Sequence, residues 1–164
     1  MLTRKDILKA GAAGLISGIV MFIPMIYLVF GAQVAPFNMP PSAAFAEALG
    51  INFAPPVAPV LHFAYAILGG IVYLLLFRND LTLTNAVVLG GVMWLIMMVV
   101  YSPIIGWGFF GFGEGQALPA DDPMHLGPPV QYMIVTLAFH ALYAVVLWLG
   151  ARGLIGRVAS LRHA

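Results

Sequence analysis

Apolar residues fill four long stretches of this chain, and charge appears only between them. No Asp, Glu, Lys or Arg occurs from Lys9 to Glu47, from Glu47 to Arg78, from Asp80 to Glu114, or from Asp122 to Arg152. About 20 mainly apolar residues suffice to cross a hydrocarbon core. Lipid offers the backbone no hydrogen-bond partners, so each stretch must be helical. The pattern predicts spans over 9–30, 59–77, 83–105 and 131–154, joined by loops 31–58 and 106–130 and by a short turn at Arg78–Asp80. The expected fold is all-α: one transmembrane domain, residues 1–164, built as a four-helix bundle from two tandem helical hairpins.

Composition sharpens this reading. Hydrophobic residues make up 62% of the chain and charged ones 8%, against roughly 25% charged in a soluble domain. The seven basic residues, Arg4, Lys5, Lys9, Arg78, Arg152, Arg157 and Arg162, all fall on one side of the predicted spans. The opposite loops carry only Glu47, Glu114, Asp121 and Asp122. By the positive-inside rule both termini are expected to be cytoplasmic. The first apolar run is longer than the roughly 7–15 residues of a signal-peptide core and lacks a cleavage site, so it is expected to stay as a membrane helix. Thr3 and Asp6 have capping-box spacing at its start.

Within the spans, HFAYA (62–66) and HALYA (140–144) place one H-x-x-Y-A pattern on the second and fourth helices. On the first and third, Gly18, Met21 and Met25 correspond to Gly90, Met93 and Met97 at a constant offset. His62 precedes Arg78, and His140 precedes Arg157, by nearly equal distances, about 24–25 Å along a helix. The two histidines are therefore expected at matching depth, as in a parallel internal repeat. Gly14 and Gly18 form a G-x-x-x-G packing face. Pro24 and Pro103 should kink the first and third helices. In the first loop, PPSAAFAEALG predicts a short helix from Ser42 to Leu49 that Gly50 ends. In the second, Trp107, Phe109, Phe110 and Phe112 suit an aromatic belt at the headgroups. The tail GLIGRVASLRHA has the alternation of an amphipathic segment drawn to anionic lipid.

The chemistry on offer is narrow. There is no cysteine, which excludes disulfides and thiolate sites. No carboxylate, lysine or arginine interrupts a span, so the usual groups of proton relays and ion-coupled transport are missing. Nucleophile, phosphate-loop and H-E-x-x-H motifs are absent too, and no catalytic activity of the chain's own is expected. That leaves two polar stripes: Tyr132, Thr136, His140 and Tyr143 on the fourth helix, and His62, Tyr65, Gly69 and Tyr73 on the second. The leading expectation is that the imidazoles and phenols bond to one another across the core, with no cofactor. As a cofactor site, His62, His140, Tyr65 and Tyr143 are the candidates. His62 and His140 would ligate haem b iron. Together with Met25, or with Met124 and His125 in the outer loop, imidazoles would equally suit copper(I).

Two hairpins, a glycine-rich first helix and H-x-x-Y near the outer end of later helices resemble small uncharacterised four-helix inner-membrane proteins of bacteria and archaea. The resemblance implies a fold and no activity. The expected function is that of a non-catalytic accessory subunit, packed in lipid beside other subunits of a respiratory or photosynthetic complex. Haem or copper binding and passage of a neutral, quinone-like solute are the alternatives; nothing suggests a nucleic-acid partner.

Overall fold

The computed structural model describes residues 2–51 and 57–156. The described chain is helical, without a strand beyond one isolated bridge. Its elements are α1 (Arg4–Ile26), α2 (Pro41–Ala48), α3 (Val57–Phe77), α4 (Leu83–Ile96), α5 (Ser102–Ile104) and α6 (Pro129–Ala151). Four segments, Arg4–Gly31, Val57–Phe77, Leu83–Ile104 and Pro129–Ile155, are long and apolar enough to cross a membrane. Large apolar side chains such as Leu8, Ile23, Leu68, Leu76, Val88 and Ile134 stand exposed on their outer faces, a surface that hydrocarbon would cover.

Local chemistry sets the helix ends. The Thr3 hydroxyl accepts from the Asp6 N–H while the Asp6 carboxylate accepts from the Thr3 N–H at 2.9 Å, a reciprocal cap that starts α1 five residues before the predicted span. At α4 the cap is one-sided: the Thr82 hydroxyl accepts from the Asn85 N–H, while the Asn85 amide turns to Asp80. Pro24 lies within α1, which continues past it and widens into π turns at Tyr27–Gly31. α4 widens likewise at Met97–Tyr101, just before Pro103. Pro103 has no N–H for the Val99 carbonyl, and the ladder opens there: the Ser102 N–H and Oγ both donate to Met97 O. α2 spans Pro41–Ala48, and Gly50 turns the chain at φ +66°.

α1 packs against α3 and α6, and α4 against α6, whereas α3 and α4 touch little. The α1–α3 seam is the tightest. A Cβ added at Gly14 would lie 2.4 Å from Ala66 O, at Gly18 2.6 Å from Ala66 Cβ, and at Gly70 2.3 Å from Ala10 O. Across α4–α6 a Cβ at Gly90 would lie 2.9 Å from His140 O. Lipid supplies no hydrophobic drive between helices, so such close backbone approach provides the contact energy.

The basic residues described, Arg4, Lys5, Lys9, Arg78 and Arg152, gather at the terminal end, where the Arg152 guanidinium lies 5.1 Å from the Trp148 ring centre. The tail beyond Gly156, expected to be amphipathic, lies outside the described residues.

At the other end the two loops fold together as a cap. Phe37 and Leu126 form the isolated bridge, Gly127 N–H donates to Pro36 O at 2.8 Å, and Asn38 Nδ2 donates to the carbonyls of Ala120 and Asp122. Trp107 is wholly buried in this cap, stacked on Phe37 and edge-on to Tyr132, and its indole N–H donates to Met124 O. The expected aromatic belt is therefore corrected at Trp107. Glycines leave room for backbone on its flanks: a Cβ at Gly115 would meet the indole at 2.7 Å, and one at Gly113 the Trp107 carbonyl carbon at 2.4 Å. Phe110 turns inward beside Trp94, while Phe109 and Phe112 remain exposed.

Replacing Gly14 with leucine would drive a side chain into the α3 backbone, and such overpacking costs about 1–3 kcal/mol. We expect Gly14→Leu to lower the unfolding midpoint in mixed micelles. Gly91→Ala, where an added Cβ meets nothing, should leave it unchanged or raise it.

Candidate intramembrane binding site

The polar stripe of α6 bonds to three partners on other helices and otherwise back to its own carbonyls. Ser102 Oγ donates to Met97 O, so at 2.6 Å Tyr132 must be the donor to Ser102 Oγ. Thr136 Oγ1 donates back to Tyr132 O and accepts from the Trp94 indole N–H at 3.1 Å. Tyr143 donates to Ala66 O on α3 at 2.6 Å. His140 Nδ1 lies 2.8 Å from Thr136 O. On α3, His62 Nε2 lies 3.1 Å from Gly18 O, Tyr65 donates to Met93 O at 3.3 Å, and Tyr73 donates to Thr82 O at 2.7 Å. Gly69, the small member of that stripe, leaves space for the Tyr143 hydroxyl and the Met93 methyl.

This arrangement corrects one expectation. The imidazoles and phenols do not bond to each other; His62, His140, Tyr65 and Tyr143 all turn to backbone carbonyls. The reason is local. The acceptors they reach are Met93 O on α4, Gly18 O in the glycine seam of α1, Ala66 O on α3 and the i−4 carbonyl of α6. Gly18 contributes twice: its missing side chain admits α3, and its carbonyl receives His62.

The carbonyl contacts define the imidazole tautomers. A carbonyl oxygen only accepts, so His62 carries its proton on Nε2 and His140 on Nδ1. The remaining nitrogens, His62 Nδ1 and His140 Nε2, keep their lone pairs and make no hydrogen bond. Both rings are more than nine-tenths buried.

Both rings line one cavity of about 320 Å³ in the loop-side half of the bundle. Met21 and Met25 of α1, Tyr65 of α3, Met97 on the widened turn, and Thr136 and Phe139 of α6 complete most of its wall. Among the described residues, no carboxylate, lysine or arginine contributes. α2 roofs it with Pro41, Ser42 and Phe45 and is held there by the Tyr101 hydroxyl, which donates to Pro41 O at 2.5 Å, and by the stacking of Phe45 on Tyr101. Ser42 is a wall residue, but among the described residues its Oγ is the one polar side-chain atom both fully enclosed and without a hydrogen-bond partner. The floor is solid: Ala66, Tyr73, Met93, Tyr143, Ala144 and Leu147 pack together beneath it. Its weak side lies between α3 and α4, where the half-exposed Ile96 forms part of the wall.

Of the sequence candidates, His62, His140 and Tyr65 meet at this cavity. Tyr143 lies at its floor rather than in its wall, and Gly14 and Gly18 belong to the α1–α3 seam. Met25 joins the histidines, whereas Met124 and His125 do not. Those two sit in the cap, where Met124 O takes the Trp107 indole and His125 Nδ1 bonds Leu118 O at 2.9 Å. Met21, Met97 and Ser42 were not anticipated as site residues. Met21 and Met97 belong to the repeated Gly-Met pattern, which was a usable signal; Ser42 gave none, because it lies in the loop helix. Among known proteins, no family model, curated protein or solved structure matches the chain. Function must therefore be argued from the cavity.

Removing the Tyr143 hydroxyl deletes a short interhelical bond, and such bonds within membranes average about 0.6 kcal/mol and reach about 1.7. We expect Tyr143→Phe to destabilise the fold measurably in mixed-micelle unfolding, and more than Tyr65→Phe, whose bond is longer.

Proposed function

We propose that this is a multi-pass protein of a bacterial or archaeal cytoplasmic membrane, with both termini inside, that binds a small neutral lipophile without transforming it. It would serve as an accessory subunit, holding that molecule for a larger respiratory or photosynthetic membrane assembly. One observation carries the binding reading: an apolar cavity of about 320 Å³ into which a few polar groups converge. Small-molecule sites are typically of this kind, with volumes of roughly 300–1,000 Å³ and sparse polar groups that fix orientation. The volume suits a ring-sized molecule better than a bare ion.

The other readings find less support. Transport through the bundle needs a continuous path, and the packed floor beneath the cavity interrupts it. Haem carries carboxylates that want cations, and the wall has none. The gap between α3 and α4 favours a ligand arriving sideways from the bilayer. A subunit role draws on the exposed Phe109 and Phe112 of the cap, which offer apolar edges to a neighbour. The inward orientation draws on the basic residues at the terminal end.

Two measurements test this. Protein purified from its native membrane should release a neutral lipophile on solvent extraction, at a stoichiometry approaching one per chain. Met97→Phe, which narrows the cavity, should lower the yield several-fold with helicity unchanged; equal yields from both proteins would exclude the cavity as its source. Because the chain has no cysteine, single cysteines at Phe112 and Asn79 report topology directly. An impermeant maleimide should label the first in intact cells and the second only after lysis.

A further inference from the structure

The unused hydrogen-bonding capacity of the cavity is lopsided. The hydroxyls of Tyr65, Tyr101 and Thr136, and the N–H groups of both histidines, all donate to backbone carbonyls. What remains is acceptor capacity: the in-plane lone pairs of His62 Nδ1 and His140 Nε2, and the weaker lone pairs of the Tyr65 and Tyr101 oxygens, which only donate. The one unpartnered hydroxyl, on Ser42, is enclosed and offers no surface to a ligand. Buried polar groups are nearly always satisfied, and those that are not call for an explanation such as a bound molecule. Protonating either imidazole would turn its lone pair into a donor, but only by placing a charge in a wall that holds no counter-charge, which is expensive inside a membrane.

We infer that the cavity selects a ring bearing hydroxyl groups, a hydroquinone or related phenol, whose O–H groups donate to His62 Nδ1 and His140 Nε2. This rests on the binding reading above and names the ligand class for the same site. A quinone offers only acceptors. It would leave both imidazole lone pairs facing its ring or carbonyls, so the site discriminates the reduced form from the oxidised one. The same lone pairs, with the thioethers of Met21, Met25 and Met97, also make a soft, neutral ligand set for copper(I). The volume of the cavity and its aromatic walls, Phe45, Tyr65 and Phe139 among them, favour the ring.

Three probes that differ only at oxygen decide the matter: hexylhydroquinone, its quinone, and its dimethyl ether. Calorimetry on the full chain in lipid nanodiscs, under a reductant for the hydroquinone, gives the affinities; the reductant is harmless to a protein without cysteine. Hydrogen-bond pairing to buried groups is worth about 1–3 kcal/mol, so the hydroquinone should bind about tenfold or more tightly than either analogue. His62→Leu and His140→Leu should each reduce that preference while leaving ether affinity in place, which separates lost recognition from lost folding. If the three probes bind alike, the hydroxyl inference is overturned while the binding site stands. If none binds, both fall. If copper(I) binds at one per chain through both histidines and the hydroquinone does not compete, the imidazoles are metal ligands and the inference is likewise overturned. The wild-type probe series decides even where a variant fails to fold.

Discussion

Every polar side chain placed in hydrocarbon must find its hydrogen-bond partner inside the protein. In this chain most of the partners are backbone carbonyls; Trp94 and Tyr132 instead donate to the hydroxyls of Thr136 and Ser102. Tyr143 reaches across to Ala66, Tyr65 to Met93 and His62 to Gly18, while His140 and Thr136 bond back along α6. The consequence is directional. Carbonyls consume donors and leave acceptors untouched, so a core that solves its desolvation problem this way is left with spare lone pairs. The character of the cavity follows from that imbalance rather than from any special motif.

The geometry that makes the imbalance possible is an unequal bundle. α1 and α3 approach until only Ala10, Gly14, Gly18, Ala66 and Gly70 fit between them. That tight seam brings the Gly18 carbonyl to His62. α3 and α4 touch little, and Tyr65 in the cavity wall bridges them through Met93 O. The π turn at Met97–Tyr101 belongs to the same design. By opening the ladder ahead of Pro103, it swings Met97 and Tyr101 to the cavity, and Tyr101 then secures the roof helix through Pro41. Wide turns of this kind cost helix geometry and recur at functional sites.

Most of the architecture was legible because lipid leaves so few options. Charge-free intervals located the four long helices within a few residues, and Thr3 with Asp6 marked the first start. Depth arithmetic put His62 and His140 at comparable height, and both line one cavity. What sequence could not convey was the choice of partner. Spacing shows that a tyrosine and a histidine share a helix face. It does not show whether the nearest acceptor is a facing ring or a carbonyl, since that depends on helix separations of an ångström or two. Trp107 was misjudged for a related reason. Its glycine neighbours looked like freedom at an interface, whereas they are the clearance that lets two loops close over an indole.

Two histidines in membrane spans carry a penalty that leucine would avoid. Each imidazole places one N–H on a carbonyl and leaves its other nitrogen without a hydrogen bond, and burying a polar group unbonded costs about 1–3 kcal/mol. His62 and His140 come from different helices, α3 and α6, yet both accept this cost at the same small volume. Independent packing accidents would have no reason to converge on one cavity, whereas a bound molecule that donates to both nitrogens offsets the cost at once.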